Sequence, residues 1–192
     1  NLSNLLAVAA VLVAQGLAPA EIVVELAKLQ PPAGRMACLG GHNTPLVVVD
    51  YAHTPDALEN VLKTIQAIRQ KHQQIITVVG CGGNRDAGKR PIMAALAAEL
   101  SDKVVLTSDN PRFEDPELIL DQMEAGIVEK QSAEVFRIAD RKKAIEEAIQ
   151  HLAGAGDIIL VAGKGHETYQ DIQGVKYDFD DRQVIADAFA KV

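Results

Sequence analysis

Short runs of β-branched and aliphatic residues alternate with amphipathic helical stretches from residue 46 to the end of the chain. The runs read LVVVD (46–50), IITVVG (75–80), KVVLTSD (103–109) and DIILVAG (157–163), with a weaker one at AEVFRI (133–138). Helical segments are expected near 55–72, 90–101, 116–130, 140–153 and 181–190. A strand that is apolar along its whole length must be covered on both faces, and a helix after each strand is the connection a parallel sheet requires. The pattern predicts an α/β fold, a Rossmann-like doubly wound, mostly parallel sheet.

The first 33 residues differ in kind. LLAVAAVLVA (5–14) is uninterrupted but short of the roughly 20 residues a membrane span needs, and no positively charged lead-in precedes it. It reads as a buried helix, capped by Ser3 and stopped at Gly16. A second helix is expected from Pro19 to about Leu29, since Pro and Glu both suit a helix N-terminus. QPPAG (30–34) can be crossed by neither helix nor central strand. A domain boundary is expected there, with residues 1–33 the tail of one domain and 34–192 a second. The chain begins at Asn1 rather than Met, which fits a piece of something longer.

A length of 192 residues allows one domain or slightly more. With 48% hydrophobic and 23% charged residues and a mean hydropathy of +0.05, the chain is an ordinary globular one, not a disordered one. Its net charge of −7 offers no basic stripe for a nucleic-acid backbone. Cys38 and Cys81 form no CxxC, so neither a disulfide framework nor a metal knot is indicated, and a reducing cytoplasm is expected.

Ligands of open parallel sheets bind beyond the C-terminal strand ends. The segments there are Asp50-Tyr51-Ala52-His53-Thr54-Pro55, then Gly80 to Asp86 running on to Lys89-Arg90-Pro91, then Ser108-Asp109-Asn110-Pro111-Arg112, and Gly163-Lys164-Gly165-His166-Glu167. Gly80 to Gly83 suits a tight turn or the start of a dinucleotide site, but Arg85 stands where the third glycine of G-x-G-x-x-G belongs. Asp109-Asn110-Pro111 makes a plausible turn by itself, which leaves Arg112 unexplained. Its planar fork suits a carboxylate. His166-Glu167 lacks the second histidine of a zinc-protease helix and His53 has no ligand partner by spacing, so no metal site is expected in this chain. Arg85, Lys89, Arg90, Arg112 and Lys164 gather on these loops against the global sign, which suits an anionic ligand. Asp109 and Glu167 can meet an ammonium. Carboxylate and ammonium recognition together point to an amino acid. No GxxxxGK(S/T) occurs, so a phosphate-cradling loop is not found in these residues.

DYAHTPDALENVL, GCGGNRDAGKRPIM, SDNPRFEDP and AGKGHETYQ resemble the C-terminal part of the Mur ligases, and among them the UDP-N-acetylmuramoyl-tripeptide synthetases. NLSNLLAVAA resembles the end of that family's central ATPase domain, and PPAGRM the hinge into its last domain. The resemblance implies ATP and magnesium as cofactors and UDP-N-acetylmuramoyl-L-alanyl-D-glutamate as the acceptor. The D-glutamyl carboxylate is phosphorylated and the amine of an incoming amino acid attacks the acyl phosphate. By the same resemblance, Arg85 contacts that amino acid, and Asp109, Asn110, Pro111 and Arg112 match the motif that selects meso-diaminopimelate. Members adding L-lysine typically lack the arginine. Gly163 and Glu167 match further contacts, Glu167 to the distal ammonium. Asn4 matches an asparagine at the adenine, Arg35 and Asp50 match residues at the phosphates and ribose, and Tyr51 and His53 neighbour them. Lys89, Arg90 and Lys164 fit the pocket's charge as anion contacts. The phosphate loop, the magnesium ligands and the UDP-binding domain are not in this chain, which implies that it is inactive alone. A monomer with no nucleic-acid or membrane partner is expected. Three alternatives stay open: an L-lysine-adding or other Mur-type ligase, a Rossmann NAD-binding oxidoreductase, and a non-catalytic small-molecule binding module.

Overall fold

The computed structural model describes residues 2–29, 34–128 and 133–191. The chain divides into two compact units, Asn1–Pro32 and Ala33–Val192.

The first unit holds helices α1 (Leu2–Ala14) and α2 (Pro19–Ala27). Gly16, at φ +87°, ends α1 in the left-handed conformation that glycine adopts at no steric cost. Ser3 lies inside the first turn of α1 and not before it, and its side chain is outside what the structure describes. Nor is α1 a buried helix: Leu6, Val11 and Val13 are 56–61% exposed. Two short helices have too few residues to cover that much apolar surface, and Ile22 is the unit's buried side chain among the described residues.

The second unit runs β1 (Ala37–Gly40), β2 (Leu46–Asp50), α3 (Pro55–Ile68), β3 (Ile75–Cys81), α4 (Lys89–Leu100), β4 (Lys103–Ser108), α5 (Pro116–Glu124), β5 (Glu134–Arg137) and α6 (Arg141–Glu147). Beyond α6 come a π-helical turn (Ala148–Leu152), β6 (Ile158–Ala162), β7 (Tyr169–Ile172), β8 (Val175–Asp178) and α7 (Asp181–Phe189). Six strands form one sheet in the order β1-β2-β6-β3-β4-β5, parallel except for β1 at one edge. This is the doubly wound α/β sheet that the strand runs imply. Two features were not anticipated: the antiparallel edge strand β1, and the separate β7–β8 hairpin.

Side chains alternate across each strand, so one sheet feeds two cores. Val48, Ile75, Val79, Leu106 and Leu160 pack with α3, α4 and α5, whose Leu58, Leu62, Met93 and Leu120 are fully buried. Val47, Val49, Ile76, Val78 and Val161 pack with α6 and α7 on the opposite face. Burying each such side chain contributes about 1.5–3 kcal/mol. The turns into α3, α5, α6 and α7 end on Thr54, Asp115, Asp140 and Asp180, whose side chains accept from the backbone N–H of Ala57, Glu117, Lys143 and Arg182. Helix α5 stops at Glu124, short of the expected 130. Gly126 sits hard against the Pro91 backbone, where a Cβ has no room. Residues 129 and 130 lie outside the described ones. Among the described residues no helix is long and apolar enough to cross a membrane.

Register brings the functional loops together. Asp50 pairs with Ala162, and Cys81 with Ser108, so β2, β6, β3 and β4 end along one edge. Strand β6 returns between β2 and β3 while β4 and β5 step outward, and that reversal is where a crevice opens.

Candidate functional site

A cavity of about 480 Å³ lies over those strand ends. Tyr51, His53 and Thr54 line it from the segment after β2, Arg85 and Asp86 from the loop after β3 with Lys89 at the start of α4, Asp109, Asn110 and Arg112 from the loop after β4, and Gly163, Glu167 and Tyr169 from the segment after β6. Arg85 is exposed, with its Nη1 donating a long bond (3.4 Å) to the neighbouring Asn84 carbonyl. Arg112 Nη1 donates to the Gly83 carbonyl at 2.8 Å, and no other side-chain bond fixes Nε or Nη2 among the described residues. That edge of the guanidinium is available for a bidentate partner.

Behind the acidic wall lies Lys164, with no exposed surface. Its Nζ donates to Asn110 Oδ1 (2.9 Å) and to the Tyr169 carbonyl (2.7 Å), and it stands 3.3 Å from Asp109 Oδ1 and 3.6 Å from Glu167 Oε2. Lys164 is therefore an internal counter-ion to two carboxylates, not the anion contact expected from its charge. Asn110 is spent as well: its Nδ2 donates to Glu167 Oε2 at 2.9 Å while its Oδ1 accepts from Lys164 and from the Asp171 N–H. Asn110 and Lys164 hold Glu167 in place. Gly163, at φ +114°, donates its N–H to the Asp50 carbonyl and lies where a Cβ would be 3.3 Å from Asp109 Oδ2. Tyr51 is flanked by the rings of His53 (4.6 Å) and His166 (5.2 Å). Burial first, then the Glu167 and Asp109 carboxylates, push its phenol pKa up.

The loops after β3 and β4 are locked to each other. The Gly83 N–H donates to the Asn110 carbonyl, the Phe113 N–H to Asn84 Oδ1, and the Asn84 N–H to Glu114 Oε1. Arg90, 1% exposed, donates to both Glu114 oxygens (2.9 and 3.0 Å), to Gln122 and to the Gly82 carbonyl. Its guanidinium points into the protein, so Arg90 braces the loops and does not reach the cavity. Pro111 likewise stays off the cavity and lies against Gly83, where a Cβ would be 2.8 Å from the Pro111 carbonyl carbon. Gly83→Ala is expected to force the two loops apart at a cost of about 1–3 kcal/mol, seen as a lower melting temperature. An unchanged melt would show that the loops move freely.

Arg90, and then the Asn84 N–H, hold the Glu114 carboxyl below its usual 4.5. A depressed folded pKa means that the clamp contributes its full stability above about pH 4.5 and loses it as the pH falls through the folded value. Glu114→Gln is expected to flatten stability against pH in that acid range. Parallel curves for wild type and variant would remove Glu114 from the acid transition.

Of the other expected residues, Lys89 lines the cavity but donates its Nζ to the His53 carbonyl at 2.6 Å. Asp50 is buried, off the cavity, and accepts from the Met36 N–H at 2.9 Å. Burial raises its pKa, partly offset by that bond, by the Ala52 N–H and by Arg35. Arg35 is exposed and also off the cavity. Asn4 lies in α1, and its side chain is outside what the structure describes. Glu114, Asn84 and Tyr169 were not singled out from sequence. Glu114 sits two residues past Arg112, but nothing local marks Arg90 as its partner. Among the described residues, no cluster of three or more His, Cys, Asp or Glu could hold a metal ion.

Comparison with known proteins follows the same segments. Residues 34–165 match the family model described as "Mur ligase, glutamate ligase domain". A protein of Phocaeicola vulgatus called UDP-N-acetylmuramoyl-L-alanyl-D-glutamate--2,6-diaminopimelate ligase is 52% identical over 190 residues, 99% of this chain and 39% of its own length. A protein of the same description from Cytophaga hutchinsonii is 54% identical over 185 residues, 96% of this chain and 38% of its own. A solved structure described as such a ligase superposes with a TM-score of 0.77 at 43% identity, covering all of this chain and 38% of the other. The chain thus spans about two fifths of the length of the curated relatives it matches. Those matches set aside the NAD-binding oxidoreductase alternative. With the family model covering the sheet and three of the four strand-end loops in full, the chain belongs to the Mur ligase family.

Proposed function

We propose that the chain forms the C-terminal part of an ATP-dependent ligase that joins meso-diaminopimelate to UDP-N-acetylmuramoyl-L-alanyl-D-glutamate. The distribution of charge around the cavity carries this reading. Two guanidiniums, Arg85 and Arg112, and two carboxylates, Asp109 and Glu167, line the same cavity, the repulsion between the carboxylates offset by the buried Lys164. Two carboxylates set against one fixed ammonium leave a net negative wall, which suits one further ammonium. A diamino acid with two carboxyl groups satisfies both kinds of group, whereas L-lysine leaves the Arg112 guanidinium without a partner. The names of the relatives support the same substrate pair.

In this reading Arg112 takes the distal carboxylate, Arg85 a second carboxylate and Glu167 the distal ammonium. Asp109, Asn110 and Lys164 set the position of Glu167, Pro111 shapes the loop, and Gly163 keeps the wall clear of side chain. Tyr51 and His53, with Arg35 and Asp50, belong to the nucleotide side. ATP supplies the phosphoryl group that turns the D-glutamyl carboxylate into a leaving-group-bearing acyl phosphate. The amine then forms the C–N bond as the C–O bond to phosphate breaks, and the ammonium proton is lost. Holding the amine at the acyl carbon is this domain's contribution to rate. Magnesium ligation is assigned to none of these residues. A monomeric, cytoplasmic enzyme goes with this reading.

The test is ligation by the full-length protein, with ATP, the UDP-linked dipeptide and either meso-diaminopimelate or L-lysine. Formation of the diaminopimelate tripeptide with stoichiometric phosphate release is the expected result, and equal use of lysine contradicts the selectivity. The 192-residue chain alone is expected to turn over no ATP. Measurable turnover would overturn its place as one part of the enzyme.

A further inference from the structure

We propose that the β7–β8 hairpin (residues 169–178) is a positioning element that sets amino-acid selectivity by fixing the backbone of Arg112. The inference rests on the role assigned to Arg112 above and extends it to residues that do not touch the ligand. Arg112 sits at φ +52°, a conformation that disfavours any residue with a Cβ and persists where the surroundings impose it. The hairpin imposes it. The Arg112 N–H donates to the Asp171 carbonyl (2.9 Å) and the Gln173 N–H donates to the Arg112 carbonyl (2.7 Å), which makes an isolated parallel bridge between Arg112 and Ile172. The same hairpin holds the residues before it. Gln170 Nε2 donates to the Asp109 carbonyl at 2.7 Å and the Asp171 N–H to Asn110 Oδ1 at 3.0 Å. Three of the four residues of Asp109-Asn110-Pro111-Arg112 are thus bonded to this one element.

Besides those bonds the hairpin is anchored at its start, where Lys164 Nζ donates to the Tyr169 carbonyl at 2.7 Å. Strand β8 is exposed along its length, and an isolated two-stranded ribbon is marginal in water. Its shape comes from the turn. Ile172 faces Val175, so Gln173 and Gly174 form a two-residue connection, and both have positive φ (+55° and +77°), as a type I′ turn requires. The tip then meets the loop it templates, since a Cβ on Gly174 would lie 3.0 Å from Cζ of Phe113, the residue after Arg112. Neither Gln173 nor Gly174 lines the cavity.

The decisive comparison is Gly174→Val against Gly174→Asn in the full-length protein, with kcat/KM measured for meso-diaminopimelate and for L-lysine. Both variants place a Cβ near Phe113, but asparagine tolerates positive φ and valine does not. Valine is expected to lower kcat/KM for diaminopimelate by about 10- to 100-fold, mainly through KM, because small displacements of a positioning group cost that much. The KM for ATP should stay within about twofold of wild type, a split that a general loss of folded protein would not give. Asparagine should keep near-wild-type discrimination. In an Arg112→Ala background Gly174→Val should remove no further discrimination, since both changes act through one guanidinium. Should the valine variant fail to fold, Gln170→Leu cuts only the bond to the Asp109 carbonyl and is expected to lower discrimination in the same direction. Folded variants with unchanged discrimination, or additive losses with Arg112→Ala, would overturn the proposal. A wild-type protein that ligates neither amino acid would instead overturn the functional reading, and this inference with it.

Discussion

Arg112→Ala is expected to lower kcat/KM for meso-diaminopimelate by roughly 30- to 1000-fold, about 2–4 kcal/mol, and to leave L-lysine unchanged. The size follows from what is removed. Arg112 Nη1 is tied to the Gly83 carbonyl at 2.8 Å, so the guanidinium plane is set before ligand arrives and little rotamer entropy remains to be lost on binding. Truncation leaves the ligand's distal carboxylate desolvated and without its two N–H donors. Arg112→Lys keeps the charge and loses the fork, so it should recover only a small part of the loss. Competition between the two amino acids in one reaction, read by product mass, gives the ratio directly. A proportional loss for both would show that Arg112 supports the fold and does not select.

The second large effect is on stability. Arg141 and Asp181 are buried together, with Arg141 Nε and Nη2 each 2.8 Å from an Asp181 oxygen and Nη2 also donating to the Ala162 carbonyl at 3.0 Å. Burial alone would weaken the guanidinium's hold on its proton; Asp181 more than offsets this and raises the Arg141 pKa above its ordinary value. Asp181→Ala strands a buried cation, at a cost of about 3–5 kcal/mol, which for a chain of this size lowers the melting temperature by roughly 6–20 °C. Arg141→Met combined with Asp181→Leu should restore much of that, because no charge is left buried. The pair clamps the last residue of β6, so Asp181→Ala should also loosen the Gly163–Glu167 segment. A melting temperature for Asp181→Ala within about 2 °C of wild type would contradict this account.

The parallel strands were legible because an all-apolar run such as IITVVG states its own burial, and the strand-end loops were legible because that is where such sheets bind. The β7–β8 hairpin was not. YQDI and VKYD carry little apolar surface, and the hairpin's support comes from loop carbonyls far away in sequence. The direction of a charged side chain was equally hidden. Arg90 and Lys164 follow strand ends just as Arg85 and Arg112 do, yet their partners Glu114, Gln122 and Asn110 turn them inward. Such pairings depend on two loops meeting, and no spacing within one loop encodes them. The exposed face of α1 went unread for the opposite reason. Its composition is that of a buried helix, but burial needs neighbours that two short helices cannot supply.

The most direct test of the central claim, that this cavity selects an amino acid carrying a second carboxylate, is an NMR shift titration of the 192-residue chain with meso-diaminopimelate and, in parallel, L-lysine. Saturable shifts at Gly82, Arg112, Gly163 and Glu167 with diaminopimelate, absent with lysine and lost in Arg112→Ala, are the predicted result. Equal saturable shifts with lysine at those residues would contradict it.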